Sequence, residues 1–216
     1  IISISSLVEG EKGIVLSFDQ YNLKGTMLEE KIGVIEGSKI KEIYSKGSMG
    51  NLFYYEDGLH AVGMRKRFDW PTNTSVLKIS NSGKVSFKYP SFDRNVVKAE
   101  VNEGNLYFLY EDSGKTLLRD STNNIDLINS EVTIKDFAFN NEKTYVIANS
   151  FSNPDEVYEL SNSQLTKISK ANESFTKKVK TWDCQYKRID TGKSEIDTWG
   201  IFVGNNKPTI LNIHGG

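Results

Sequence analysis

A single cysteine, Cys184, stands in 216 residues, so no internal disulfide can form, which fits a reducing compartment. There are two histidines, His60 and His214, and no His/Cys cluster has the spacing that holds a metal. Neither sign of charge dominates. Lys and Arg total 27 against 28 Asp and Glu, and the net charge of −1 leaves no basic footprint for nucleic acid or an anionic membrane surface. Long apolar runs are missing as well: nothing approaches the roughly 20 apolar residues of a membrane span. The opening IISISSLVEG lacks the basic region and apolar core of a secretion signal, although a chain that opens on Ile1 rather than Met makes this absence weak evidence. No cofactor, metal, nucleic acid or membrane partner is expected, and the expected location is cytoplasmic.

What is present is β-forming material. With 38% hydrophobic and 25% charged residues the chain can bury one large all-β domain or a domain and a half. Three segments end at nearly constant spacing: Ser75 to Ser80 (SVLKIS), Thr116 to Ser121 (TLLRDS) and Glu156 to Ser161 (EVYELS), whose closing serines lie 41 and 40 residues apart. Each follows a turn-rich piece (Glu56-Asp57-Gly58, Asn102-Glu103-Gly104, Asn140-Asn141-Glu142) and an apolar or alternating run (Leu59 to Met64, Asn105 to Tyr110, Thr144 to Ala148). Another turn and strand come after each serine, at Lys84 to Tyr89, Ile125 to Ile128 and Leu165 to Ile168. Four short strands in about 40 residues, repeated, is the pattern of propeller blades. A weaker copy precedes them, with strands at Gly13 to Phe18, Lys31 to Ile35 and Ile40 to Tyr44, giving blades near 8–47, 48–93, 94–134 and 135–173 and almost no helix. A generic antiparallel sandwich is the competing fold, but its strands need not recur in groups of four.

The sequence closes on Pro208 to Gly216 (PTILNIHGG), an apolar run that ends in His-Gly-Gly. A buried strand running into such a turn places a backbone N–H where a tetrahedral oxyanion can be held, and the second Gly lets the backbone come close to substrate. No G-x-S-x-G nucleophile elbow occurs in the 216 residues. The reading is the front part of an enzyme without its nucleophile, inactive by itself.

Together, the repeats and this motif resemble the prolyl oligopeptidase family of serine peptidases, and within it the acylaminoacyl-peptidase-like branch. The resemblance is strongest from Lys135 to Gly216. Lys135 to Glu173, with its Asn-Pro-Asp-Glu-Val-Tyr run, is similar to a last propeller blade, and Trp182 to Gly216 to the start of an α/β-hydrolase sheet, with strands around Gln185 to Ile189 and Ile196 to Val203. Ile196 to Gly200 (IDTWG) resembles the family's Ile-x-Gly-Trp stretch, with Thr198 where Gly is expected. The resemblance implies a propeller over 1–180 and a hydrolase domain beginning at 181–216, with a Ser/Asp/His triad farther along the enzyme. It implies that Gly216 donates to the oxyanion, Gly215 permits close approach, and His214 structures the loop rather than serving the triad. Implied partners are a short or acylated peptide substrate and the rest of the hydrolase domain; a second copy of the chain is the alternative cover for the exposed strands. Whether HGGP or HGGG follows is open, as is a free-standing propeller that only binds.

Other residues have plainer readings. Arg65, Arg67 and Trp70 fall in the connection between the second and third strands of a blade, as a solvated loop or as a loop lining the substrate path. His60 reads as a packed or edge-exposed histidine, Cys184 as buried and inert, and Trp182 and Trp199 as a cross-strand aromatic pair. Asn73-Thr74-Ser75 and Asn172-Glu173-Ser174 fit the glycosylation triplet without a secretion signal to support it.

Overall fold

The structure is a computed structural model that describes residues 2–10, 13–56, 58–64, 73–128, 130–140, 143–182 and 184–201. Four antiparallel sheets of four strands follow one another along the chain. The first is β1 (Ile2–Gly10), β2 (Gly13–Tyr21), β3 (Met27–Glu36) and β4 (Lys39–Tyr44). The second is β5 (Ser48–Tyr55), β6 (Gly58–Met64), β7 (Ser75–Ile79) and β8 (Val85–Phe87). β9 (Val96–Asn102), β10 (Asn105–Asp112), β11 (Lys115–Asp120) and β12 (Ile125–Asp126) form the third, and β13 (Thr133–Asn140), β14 (Lys143–Asn149), β15 (Glu156–Ser161) and β16 (Gln164–Lys167) the fourth. A short helix, α1 (Glu173–Thr176), and a hairpin, β17 (Cys184–Asp190) with β18 (Glu195–Ile201), complete the described elements. All four sheets are meanders in sequence order, the arrangement that the 40-residue repeat predicts. The chain divides into two compact units, one with the first three sheets, the other with the hairpin and the fourth sheet apart from residues 162–164.

Two of the closing serines are bonded at the ends of their strands. Ser80 Oγ accepts from Lys84 N at 2.9 Å, and Ser121 Oγ donates to Leu106 O at 2.7 Å while accepting from Tyr89 Oη at 2.9 Å. Tight turns at Glu103-Gly104, Ser113-Gly114 and Asn162-Ser163 put both central residues at positive φ, the twist that suits a two-residue hairpin.

The second sheet shows how a doubly buried strand is written. Leu59 and Ala61 of β6 and Leu77 and Ile79 of β7 face the first sheet, where they pack with Val15, Ile32, Met49 and Leu52. Val62, next to Ala61, and Val76, next to Leu77, join Phe53, Val96, Leu106 and Phe108 in a second core against the third sheet. Both faces are apolar, so alternation disappears from the sequence and the strands read as runs.

Each first strand also carries a β-bulge, which the sequence reading did not find. The extra residues are Ser5, Asn51, Val97 and Lys135. A bulge shifts the two-residue period by one. Met49 and Leu52 therefore share a core although three residues apart, as do Val96 and Ala99. Near these bulges polar side chains clasp neighbouring sheets: Ser6 Oγ accepts from Leu52 N at 2.9 Å, and Asn51 Oδ1 from Ala99 N at 2.5 Å.

In the fourth sheet the buried Glu156 is held by four donors. Its Oε1 accepts from Asn172 N at 2.9 Å and faces Lys167 Nζ at 3.1 Å; its Oε2 accepts from Ala171 N at 3.1 Å and from Ser169 Oγ. Hydrogen bonds from Ser169 and Asn172 hold its carboxyl down to about 2. A carboxylate with a depressed pKa adds stability above its unfolded value near 4.5 that is lost as pH falls towards about 2. Glu156→Gln therefore lowers the unfolding midpoint at neutral pH, because the new NH2 meets N–H donors, and flattens this acid limb. Thermal melts of both proteins from neutral pH into acid check it; an unchanged midpoint would show that the cradle contributes nothing.

Candidate functional site

All six residues singled out for chemistry or substrate contact, Gly216, Gly215, His214, Arg65, Arg67 and Trp70, lie outside the described residues. The structure does describe what flanks them. β6 and β7 bracket the Arg65–Trp70 segment as second and third strands of one sheet, as expected. Thr74, just before β7, is fastened to the third sheet: its N–H donates to Asn95 Oδ1 at 3.2 Å, its Oγ1 to Val96 O at 2.7 Å, and Val96 N returns a bond to Thr74 O at 3.0 Å. Asn73 Nδ2 donates to Asp93 Oδ1 at 3.1 Å. Polar groups around this anchor pair with one another: Arg94 Nε donates to Asp112 Oδ1 at 2.8 Å and Asn95 Nδ2 to Glu111 Oε2 at 3.1 Å. The cluster therefore anchors the residues that lead into β7.

Ahead of His-Gly-Gly in the sequence lies the β17–β18 hairpin, in continuous register from Cys184 opposite Ile201 to Asp190 opposite Glu195. Asp190 Oδ1 accepts from Gly192 N at 2.7 Å, and Gly192 takes the positive φ that the turn needs. On one face Asp197 Oδ1 accepts from Tyr186 Oη at 2.6 Å and Arg188 Nε at 2.8 Å. The Arg188 guanidinium and the Tyr186 hydroxyl hold the Asp197 carboxyl below the usual carboxylate range. Two sequence expectations need correction here. Trp199 packs on Tyr186 with ring centroids 5.6 Å apart, whereas Trp182 precedes β17 and lies under the Lys180 ammonium at 4.1 Å. The cross-strand partner is Tyr186 because the register stops at Cys184. Cys184 is half-buried rather than buried, and burial raises its thiol pKa.

His60 is the one histidine among the described residues. It is fully buried, with Nδ1 3.0 Å from Gly58 O and no hydrogen-bond partner for Nε2 among the described residues. No hydroxyl–imidazole pair of the kind that activates a serine is therefore present among them. Nor do they contain a group of three His, Cys, Asp or Glu side chains placed to hold a metal ion. Among them no helix is long and apolar enough to cross a membrane.

No family model matches the chain, and no curated protein matches it. Solved structures do. An acylaminoacyl peptidase from Pyrococcus horikoshii superposes with a TM-score of 0.67 at 18% identity over 90% of this chain and 32% of its own. The β-propeller domain of the Trilobed protease from Pyrococcus furiosus gives 0.60 at 14% over 77% of this chain and 55% of that domain. A prolyl endopeptidase gives 0.56 at 11% over 92% of this chain and 31% of its own. The chain spans about a third of the length of the full peptidases it matches. At these identities the likeness is one of fold: the four sheets are β-propeller blades of the kind that acylaminoacyl and prolyl peptidases carry.

Proposed function

We propose that this chain is the propeller and hydrolase-start portion of a cytoplasmic serine peptidase of the prolyl oligopeptidase family, acting on short or acylated peptides. The observation that carries the reading is one of order: a series of propeller blades leads into an antiparallel hairpin and then into His-Gly-Gly. Its support is the likeness of the blades to those of acylaminoacyl peptidase at 32% of that enzyme's length. In this reading the Gly216 N–H stabilises the oxyanion that forms when a serine attacks the scissile carbonyl, a histidine takes the serine proton, and both side chains belong to sequence beyond these residues. One oxyanion donor is worth about 2.7–4 kcal/mol of transition-state stabilisation. Both faces of the hairpin expose apolar side chains, Ile189 and Ile196 on one and Tyr186 and Trp199 on the other. A two-stranded hairpin is marginal alone, so the rest of the hydrolase domain is its proposed cover.

The test compares the chain alone with the chain joined to the coding sequence that follows Gly216. Alone it stays unlabelled by a fluorophosphonate and leaves acylated peptide substrates intact; joined, it labels at one serine and cleaves them. Labelling of the chain alone, or a following sequence without G-x-S-x-G, would overturn the reading and leave a propeller that binds without catalysis.

A further inference from the structure

We propose that His60 is a proton-sensitive lock on the seam between the second and third blades: buried and neutral it closes the seam, and its protonation loosens it. The register places His60 opposite Phe53 on β5 and opposite Lys78 on β7. Phe53 belongs to the core shared with Val96, Ala99, Leu106 and Phe108, so the imidazole lies on the face of the second blade that meets the third. Its ring stacks on Phe53 at 5.7 Å and meets Tyr55 edge-on at 5.8 Å. Leu59 and Ala61 beside it point into the other core, so the sequence LHAVG sets one polar ring among apolar neighbours on a doubly buried strand.

This placement fixes the tautomer. Nδ1 faces the Gly58 carbonyl oxygen and donates to it, which leaves Nε2 as a lone pair. A second proton on Nε2 would point into the packed interior, with no acceptor among the described residues. The charges that act on the ring are Lys88, Lys78 and Glu56, and Glu56 is engaged by Lys88 Nζ at 2.8 Å, itself 4.9 Å from the Tyr55 ring centroid. From the third blade the side chains of this core are apolar apart from the Tyr110 phenol, and Tyr89, between the blades, gives its hydroxyl to Ser121. An imidazolium here would add a positive charge beside two ammonium groups and one carboxylate, away from water. Burial, then Lys88 and Lys78, therefore push the His60 pKa below the ordinary histidine value, against the Gly58 bond and Glu56, which raise it.

The sign follows. For a folded pKa below the unfolded value of about 6.5, the seam keeps its full stability above that pH and loses it as pH falls towards the folded value. Each unit of depression corresponds to a roughly tenfold change in the opening equilibrium. Carboxylates titrate lower, so the window between about pH 7 and 5 isolates the histidines.

The experiment uses the full chain. NMR titration of the His60 ring is expected to show a midpoint below that of a free histidine. Hydrogen-exchange protection, corrected for intrinsic rates, is expected to fall over the same window at Ala99 and Leu106 in the seam and to hold at Val15 and Leu16 in the first blade. His60→Phe keeps the stack on Phe53 and removes the titration, so its protection at Ala99 and Leu106 should be flat across the window. A His60 midpoint at or above the free value, equal loss at Val15 and Ala99, or a pH dependence that survives in H60F would each overturn the proposal. Where H60F fails to fold, the titration and the two-site comparison in the unaltered chain decide.

Discussion

Phe108→Ala removes about 3–5 kcal/mol, the range for deleting a fully buried aromatic side chain and a large fraction of the roughly 5–15 kcal/mol by which folded proteins are stable. Phe108 is 2% exposed on β10, the central position of the core between the second and third blades. Its ring meets Phe92 edge-on at 5.2 Å and Tyr89 at 5.9 Å, and such pairs add to the loss of area. β10 has hydrogen-bonded strands on both sides, so the backbone cannot collapse into the space that the ring leaves. Tyr54→Phe on β5 is the control, since that side chain is 36% exposed and no core includes it. Urea unfolding of the three proteins checks the ranking; a loss below about 1.5 kcal/mol for Phe108→Ala would mean that the seam repacks and that the second core is loosely held.

Those two cores explain which parts of the fold were legible. The strands ending at Ser80, Ser121 and Ser161 were visible because the serines and the turns that follow them recur at about 40-residue spacing. The first strands of the blades were not, because their bulges break the pattern on which strand recognition depends. Met49 and Leu52, Val96 and Ala99, and Ile134 and Phe137 are buried pairs three residues apart, a spacing that belongs to a helix face when read without coordinates. The bulges at Asn51, Val97 and Lys135 convert that spacing into a strand. β1 was hidden for a second reason: Ile2, Ile4 and Leu7 are exposed, so no buried alternation marks it.

Gly215 and Gly216 were named from a local motif and lie outside the described residues. His-Gly-Gly is a local motif whose meaning comes from the backbone that follows a strand, and it can be read without knowing what surrounds it. Glu156 could not be found that way. Its partners Ser169, Ala171 and Asn172 are thirteen to sixteen residues along the chain, and no spacing rule connects a strand-opening glutamate to a later loop. His60 was noticed, but its complete burial depends on Phe53, Tyr55 and a neighbouring blade, which pairwise sequence patterns do not encode.

Ile4→Lys combined with Leu7→Lys should turn a self-associating chain into a monomer at tens of micromolar. The register of the first blade puts Ile4 beside Phe18, Leu7 beside Leu16 and Ile35 beside Ile40, all on the face turned away from the second blade. On the inward face Val15 and Ile32 are 3% and 1% exposed; on the outward face Ile4 and Leu7 are 58% and 56% exposed, with Ile2, Ile14, Ile35 and Ile40 exposed around them. Leu16 and Phe18 on β2 are themselves 1% and 6% exposed, so it is the aliphatic rim of the outward face around them that lies in solvent. Aliphatic side chains on this scale, contiguous across four strands, form the kind of patch that monomers rarely leave bare. β1 is also an edge strand, where lysine is the usual guard against pairing with another chain. On the same face Glu29 and Glu42 are engaged by Lys31 Nζ at 2.8 and 3.0 Å, while Glu9 offers complementary charge, and because Ile4 and Leu7 are already more than half exposed the fold loses little. Sedimentation velocity of both proteins across a concentration series decides it. A single monomeric boundary for the unaltered chain would show that this face stays solvated despite its composition, and association that persists in the double variant would transfer the interface to the exposed hairpin at Tyr186 and Trp199.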